Sequence, residues 1–147
     1  MTHVEQQGTG GTDVPSAFAP AALGPMRLRN RVIKAATFEG VMPRGAVTQD
    51  LIDFHVSVAR GGAALTTVAY CAVSKGGRVS RDTMVFTEEM IPDLQRLTAA
   101  VHAEGAAISA QLGHAGYVAQ NQSKHHPSLG PSTRFSMPAM GRVHGAS

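Results

Sequence analysis

The chain has 147 residues, with 13 Lys plus Arg against 10 Asp plus Glu, 7 His and 1 Cys; 43% of it is hydrophobic, 16% charged and 5% aromatic, with no Trp. The length suits one domain with a buried core, and the low charge fraction excludes a disordered polyelectrolyte. A single cysteine excludes a disulfide scaffold and a thiolate zinc cluster, while a net charge of +3 without a dense basic face or stacking aromatics argues against nucleic-acid binding.

Residues 1–16 are rich in Gly, Thr and Gln and read as a disordered leader without a basic or apolar targeting region. The longest apolar run, Ala63 to Val73, is broken by Thr66 and Thr67 and is too short to span a bilayer. The expectation is a cytoplasmic protein with no membrane partner. From Met26 to Arg31, arginines alternate with less polar residues, the pattern of a short surface ribbon whose arginines form a solvated edge.

Val32–Ala36 suits a buried strand, and a loop with Gly40, Pro43 and Gly45 follows it. Thr48 is a good N-cap for a helix with Asp50 and Asp53 near its start, Ile52, Val56 and Ala59 on one face, and Gly61-Gly62 at its end. Ala63–Ala69 does not alternate, as expected of a strand covered on both faces. Lys75-Gly-Gly-Arg78 opens no helix, so it reads as a solvated turn rather than a phosphate loop. A second helix runs from near Pro92 to Glu104 with the stripe Ile91, Leu94, Leu97 and Val101, and Ala106–Leu112 is the third strand. Residues 113–147 lack periodicity and acidic residues and read as a long loop.

The order β-α-β-α-β implies parallel strands joined by right-handed crossovers. An open doubly wound sheet and the start of a closed barrel both fit. In either, ligands lie at the carboxyl ends of the strands. There is no Gly-x-Gly-x-x-Gly turn and no P-loop, which disfavours a nucleotide site of those kinds. The residues at the strand ends are Ala36, Thr37 and Phe38, then Ala69, Tyr70 and Cys71, then Gln111, with His114 beyond. A primary amide such as Gln111 can donate and accept at once, and so pair with a heterocycle that shows an N–H beside a carbonyl, as a flavin pyrimidine does. A glutamine that caps the strand through backbone groups is the simpler alternative. His114 reads as a loop histidine packed at the mouth of the sheet, although a base or a ligand is open to it. His125-His126 stands in a Ser/Pro loop with no carboxylate after it, which favours solvated loop over a metal site. Cys71 reads as a small buried residue.

Four stretches in order carry a more specific signal: Leu28-Arg-Asn-Arg-Val-Ile-Lys-Ala-Ala36, Arg60-Gly-Gly-Ala-Ala-Leu65, Leu97-Thr-Ala-Ala-Val-His-Ala-Glu-Gly105 and Gln111-Leu-Gly-His-Ala-Gly116. From about residue 17 to residue 132 the chain resembles the old yellow enzyme family of FMN-dependent NAD(P)H oxidoreductases, closest to its NADH:flavin oxidoreductase and dienoyl-CoA reductase branch. The resemblance implies an α/β fold, the N-terminal three βα units of a TIM (β/α)8 barrel that this chain does not complete. It implies FMN as cofactor and NAD(P)H as hydride donor, with an electron-poor alkene, an enone or enoyl thioester, as the small-molecule substrate. It places Ala36, Thr37 and Phe38, Ala69 and Tyr70, and Gln111 around the flavin. Phe38 stands where many members carry Thr, Ser or Cys, Tyr70 where many have a small residue, and Tyr117 where many have Arg. The family's substrate-binding pair, proton-donating tyrosine and FMN phosphate site belong to later strands. The isolated chain is therefore expected to be inactive, with helix faces such as Ile52, Val56, Leu94, Leu97 and Val101 left bare. A non-enzymatic truncated product and an open-sheet small-molecule-binding module are the alternatives.

Overall fold

The computed structural model describes residues 16–120, 125–137 and 141–145; residues 1–15 of the expected leader lie outside them. The ribbon is present as an antiparallel hairpin of β1 (Ala21–Leu23) and β2 (Met26–Leu28). It is followed by β3 (Ile33–Lys34), α1 (Gln49–Arg60), β4 (Leu65–Ala72), α2 (Ile91–Ala103) and β5 (Ala107–Gly113). The three strands β3, β4 and β5 form one parallel sheet in that order.

Local chemistry explains the boundaries. The Thr48 hydroxyl accepts from Leu51 N–H at 3.2 Å and donates to the Val41 carbonyl at 2.6 Å, so one side chain caps α1 and ties down the loop before it. Gly62 and Gly105, at φ +100° and +72°, turn the chain out of the two helices into the strands. The helices cover one face of the sheet, and Met42, Leu51, Ile52, Val68, Met84, Leu97 and Val101 meet in the core between them. The expectation of bare helix stripes is thus corrected. Ile52, Leu97 and Val101 are buried, with Val56 and Leu94 packed against them, because the three strands are wide enough to cover both inward faces.

Arg29 is also not the solvated edge expected of it. Its guanidinium donates to the carbonyls of Ala59, of Ala63 at 2.7 Å and of Glu104 at 2.8 Å. It thereby satisfies carbonyls at the C-terminal ends of both helices, where positive charge is favoured.

The segment expected to be one long loop after residue 113 holds a 3-10 turn at Gly116–Val118 and a second small sheet. Its strands are β6 (Leu129–Gly130), β7 (Arg134–Ser136) and β8 (Gly141–Gly145), in the order β6-β8-β7. Strands of two to five residues are too short to show a hydrophobic period. Among the described residues no helix is long and apolar enough to cross a membrane.

Candidate functional site

The first strand is shorter and the second longer than their sequences suggest. β3 stops at Lys34, whereas β4 continues through Ala69, Tyr70 and Cys71 to Ala72. Among the described residues no strand runs beside β4 on that edge between Lys34 and the single bridge of Ala72 to Val85, and side chains fill the interval. Lys34 Nζ donates to the Thr67 carbonyl at 3.0 Å, and Glu39 Oε1 accepts from Ala69 N–H at 3.1 Å. The two side chains are joined by an ion pair of 2.9 Å.

The Glu39 side chain is fully enclosed, and His55 on the inward face of α1 is buried. His55 Nδ1 lies 2.7 Å from the Thr66 hydroxyl, and its Nε2 approaches Glu39 Oε1 at 3.4 Å, close enough for an ion pair but outside hydrogen-bond geometry. Burial pushes the Glu39 carboxyl up, but His55, Lys34 and the Ala69 N–H together outweigh it and hold the group below its ordinary value. This cluster was not found in the sequence. Its one available signal is a histidine at the helical spacing of Leu51, Ile52 and Ala59, the buried stripe of α1.

On the other edge of β4, Val68 pairs with Ala110 and Cys71 with Leu112. Ala69 and Tyr70 therefore both stand opposite Gln111, a β-bulge of the kind that re-aims side chains. The bulge opens onto a cleft of about 400 Å³ at the carboxyl ends of the strands. Ala36, Phe38, Ala69, Tyr70 and Gln111 line it, together with Val79, Ser80 and Thr83 of the loop after β4. Five of the six residues that the resemblance placed around a flavin are thus brought together. Thr37 is not on the wall of this cleft: it is exposed, and its hydroxyl donates to the Ala35 carbonyl at 3.4 Å.

Within the cleft, Tyr70 is held at both ends. Its hydroxyl donates to the Gly77 carbonyl at 3.1 Å, and its ring packs on Gly113, where a Cβ would come within 2.5 Å of it. Gln111 caps nothing, since its amide makes no hydrogen bond among the described residues. A free primary amide on an otherwise mainly apolar wall, flanked by the backbone of two further strand ends, fits the polar edge of a flat heterocycle such as flavin.

The turn at Lys75–Gly77 forms the rim of the site. It is not solvated at its centre: Gly76 and Gly77 are buried, and a Cβ on them would meet the Pro127 carbonyl oxygen at 2.2 Å and the His114 ring at 2.5 Å. His114 packs at the mouth of the sheet. Its Nδ1 accepts from Gly116 N–H at 3.1 Å, so Nε2 carries the proton, and that buried nitrogen has no partner among the described residues.

Cys71 is fully buried, 3.9 Å from the Met84 sulfur. Burial, with a smaller contribution from the Glu39 charge, pushes its thiol up to about 12. It is a thiol at neutral pH and no nucleophile. Native full-length protein should leave Cys71 unlabelled by iodoacetamide at pH 8, as mass spectrometry of the peptide would show, and Cys71→Ala should keep its turnover. Rapid labelling would mean that this strand opens.

Parallel strands covered by helices, with a cleft at their carboxyl ends, define an α/β fold of the class in which ligands are commonly held at the strand ends. The chain belongs to the NADH:flavin oxidoreductase / NADH oxidase family, whose model matches residues 16–146. It is 68% identical over 133 residues to the 4,4'-dithiodibutanoate disulfide reductase of Rhodococcus erythropolis, covering 90% of this chain and 33% of that protein. It is 42% identical over 115 residues to a metal reductase of Desulforamulus reducens, covering 78% of this chain and 17% of that protein. The chain thus spans a third or less of the length of these relatives. Its fold is that of morphinone reductase in complex with tetrahydroNAD, with a TM-score of 0.79 at 22% identity over 91% of this chain and 41% of that one. The old yellow enzyme homologue of Zymomonas mobilis superposes with a TM-score of 0.74 at 21% identity, over 90% of this chain and 40% of that one.

Proposed function

We propose that this chain forms the first three βα units of a (β/α)8 barrel in an FMN-dependent NAD(P)H oxidoreductase of the cytoplasm, and that the electron acceptor is an organic disulfide. The observation that carries the flavin assignment is the Gln111 amide, left without a partner on the wall of a cleft built from three strand ends. FMN, when bound, would supply two-electron transfer between the reduced nicotinamide and the acceptor.

The chain's own residues bind and orient. Gln111 would pair with the pyrimidine edge, and the backbone at Ala36 and Ala69 would lie beside the ring. Tyr70, pinned to Gly77 and Gly113, forms a fixed wall. Glu39 acts at one remove, by holding the Ala69 N–H and so the bulge. Phe38, 59% exposed here, offers an apolar face and no hydrogen-bonding hydroxyl or thiol.

An electron-poor alkene is the acceptor suggested by the family resemblance. The disulfide is preferred because of the 68% identity to a disulfide reductase. An inert Cys71 fits this choice: in this part of the protein no thiolate stands ready for thiol–disulfide exchange, and the electrons come through the flavin. Balance requires two electrons and two protons for each disulfide cleaved to two thiols.

The test is the cofactor. Full-length protein should purify yellow, and Gln111→Ala should weaken FMN binding roughly 10- to 100-fold, the cost of one to two lost hydrogen bonds to a buried polar edge. Equal FMN affinity in fluorescence titrations of both proteins would remove Gln111 from the site.

A further inference from the structure

A second open cleft, of about 420 Å³, adjoins the first and shares Thr83 with it as a common wall. Its character is different. Arg44, Lys75 and Arg78 line it, with His126 also on its wall. None of the three long cations forms an ion pair with a carboxylate among the described residues. Two acids of the adjoining segments, Asp82 and Glu89, are otherwise engaged. Asp82 accepts the backbone N–H of Arg44 at 2.8 Å and leaves the guanidinium free. Glu89 is within electrostatic reach of Lys75 but is exposed, and it bonds chiefly to Thr87. Arg78 reaches only the Lys75 carbonyl, at 3.4 Å.

The backbone is arranged to keep these cations beside the first cleft. Arg44 is the one described non-glycine residue with positive φ, at +56°, a conformation that costs free energy unless the surroundings impose it. The next residue, Gly45 at φ +77°, lies so close to Thr83 that a Cβ would come within 2.6 Å of its carbonyl oxygen. The Arg44–Gly45 turn is thereby pressed against the wall common to both clefts. On the other side, the buried glycines fix Lys75 and Arg78.

We propose that this basic cleft is the subsite for a carboxylate at the end of a short aliphatic chain, the anionic tail of the acceptor whose disulfide lies in the neighbouring cleft. The inference rests on the function proposed above and adds to it the substrate class: a linear disulfide with a terminal carboxylate, rather than a neutral or cationic one. Guanidinium groups suit that end because a planar fork binds a carboxylate through two charge-assisted hydrogen bonds. In 4,4'-dithiodibutanoate, three methylenes separate each sulfur from its carboxylate, so one molecule can present a sulfur to one cleft and a charge to the next.

The experiment is calorimetric titration of the full-length, FMN-loaded protein with 4,4'-dithiodibutanoate and with its neutral dimethyl ester. Wild type should bind the diacid more tightly than the ester. Arg44→Ala/Arg78→Ala should weaken the diacid by about tenfold or more and the ester far less. Arg60→Ala removes a cation that pairs with Glu104 at the end of α1 and should leave the ratio of the two affinities as in wild type. Equal binding of diacid and ester by the wild type, or equal losses in the double variant, would overturn the subsite. A selective loss in Arg60→Ala as well would do the same, since it would reduce the preference to general attraction between charges. Turnover is scored separately. Selective diacid binding without NAD(P)H-dependent cleavage would support the subsite and sink the disulfide reductase reading.

Discussion

Glu39→Ala should destabilise the full-length protein by about 3 kcal/mol, the lower end of what removing one member of a buried ion pair costs. The lower end applies because Lys34, with 16% of its side chain exposed, can turn partly toward water, while His55, wholly enclosed, cannot. The Ala69 N–H would also lose its acceptor. Glu39→Gln keeps an oxygen for that N–H and should cost less. The pH dependence has a definite sign. A carboxyl held below its ordinary value of 4.5 adds stability that is complete above that value and disappears as pH falls through the lower folded value. The gap between wild type and Glu39→Ala, measured by urea unfolding, should therefore be widest near neutrality and narrow in acid. A gap that is absent at pH 7 would mean that the carboxylate does not hold this edge of β4.

Residues 1–147 expressed alone should oxidise no NAD(P)H, with or without added FMN. A barrel closes only when strand number, tilt and stagger agree, and the parallel sheet here has three strands with β3 and β5 as open edges. The phosphate of a barrel-bound cofactor is commonly held after the seventh and eighth strands, so the ring would have to be retained by the Gln111 cleft without it. Leu112, at 59% exposure, and Val73, at 55%, mark apolar surface near the carboxyl end of the sheet, and such surface favours association. Absorbance at 340 nm and the visible flavin spectrum decide the matter: a yellow, active chain of this length would contradict the proposed role of the missing strands.

The parts of this fold that were legible in the sequence are those set by local chemistry. Thr48 and Gly61-Gly62 bracket a helix within a residue of its observed ends, because capping acts over three or four positions. The β-α-β-α-β order follows from apolar runs separated by stripes of helical period. The strand-end residues Ala36, Phe38, Ala69, Tyr70 and Gln111 do share a cleft, since parallel strands must deliver their carboxyl ends to one side. The bulge opposite Gln111 was not legible, because an extra residue in β4 has meaning only against a partner forty residues away in the chain. Nor was the role of Lys34 and Glu39, which depends on β3 ending at Lys34 and leaving the edge of β4 beyond it to side chains. The small β6-β8-β7 sheet pairs strands whose order in space differs from their order in the chain, and nothing local encodes that.

The paired glycines at 76 and 77 have a consequence for natural variation. No side chain fits at either position, whereas Lys75 is exposed and Arg78 half-exposed, and both can change without disturbing the turn. The backbone of the rim and the charge on it are thus separable characters. A relative that kept both glycines but replaced the flanking cations with neutral residues would retain the cleft and leave Arg44 alone to carry the proposed preference for anions. On the proposed reading, drift at these surface positions weakens the hold on anionic acceptors step by step, with the cofactor end of the site untouched.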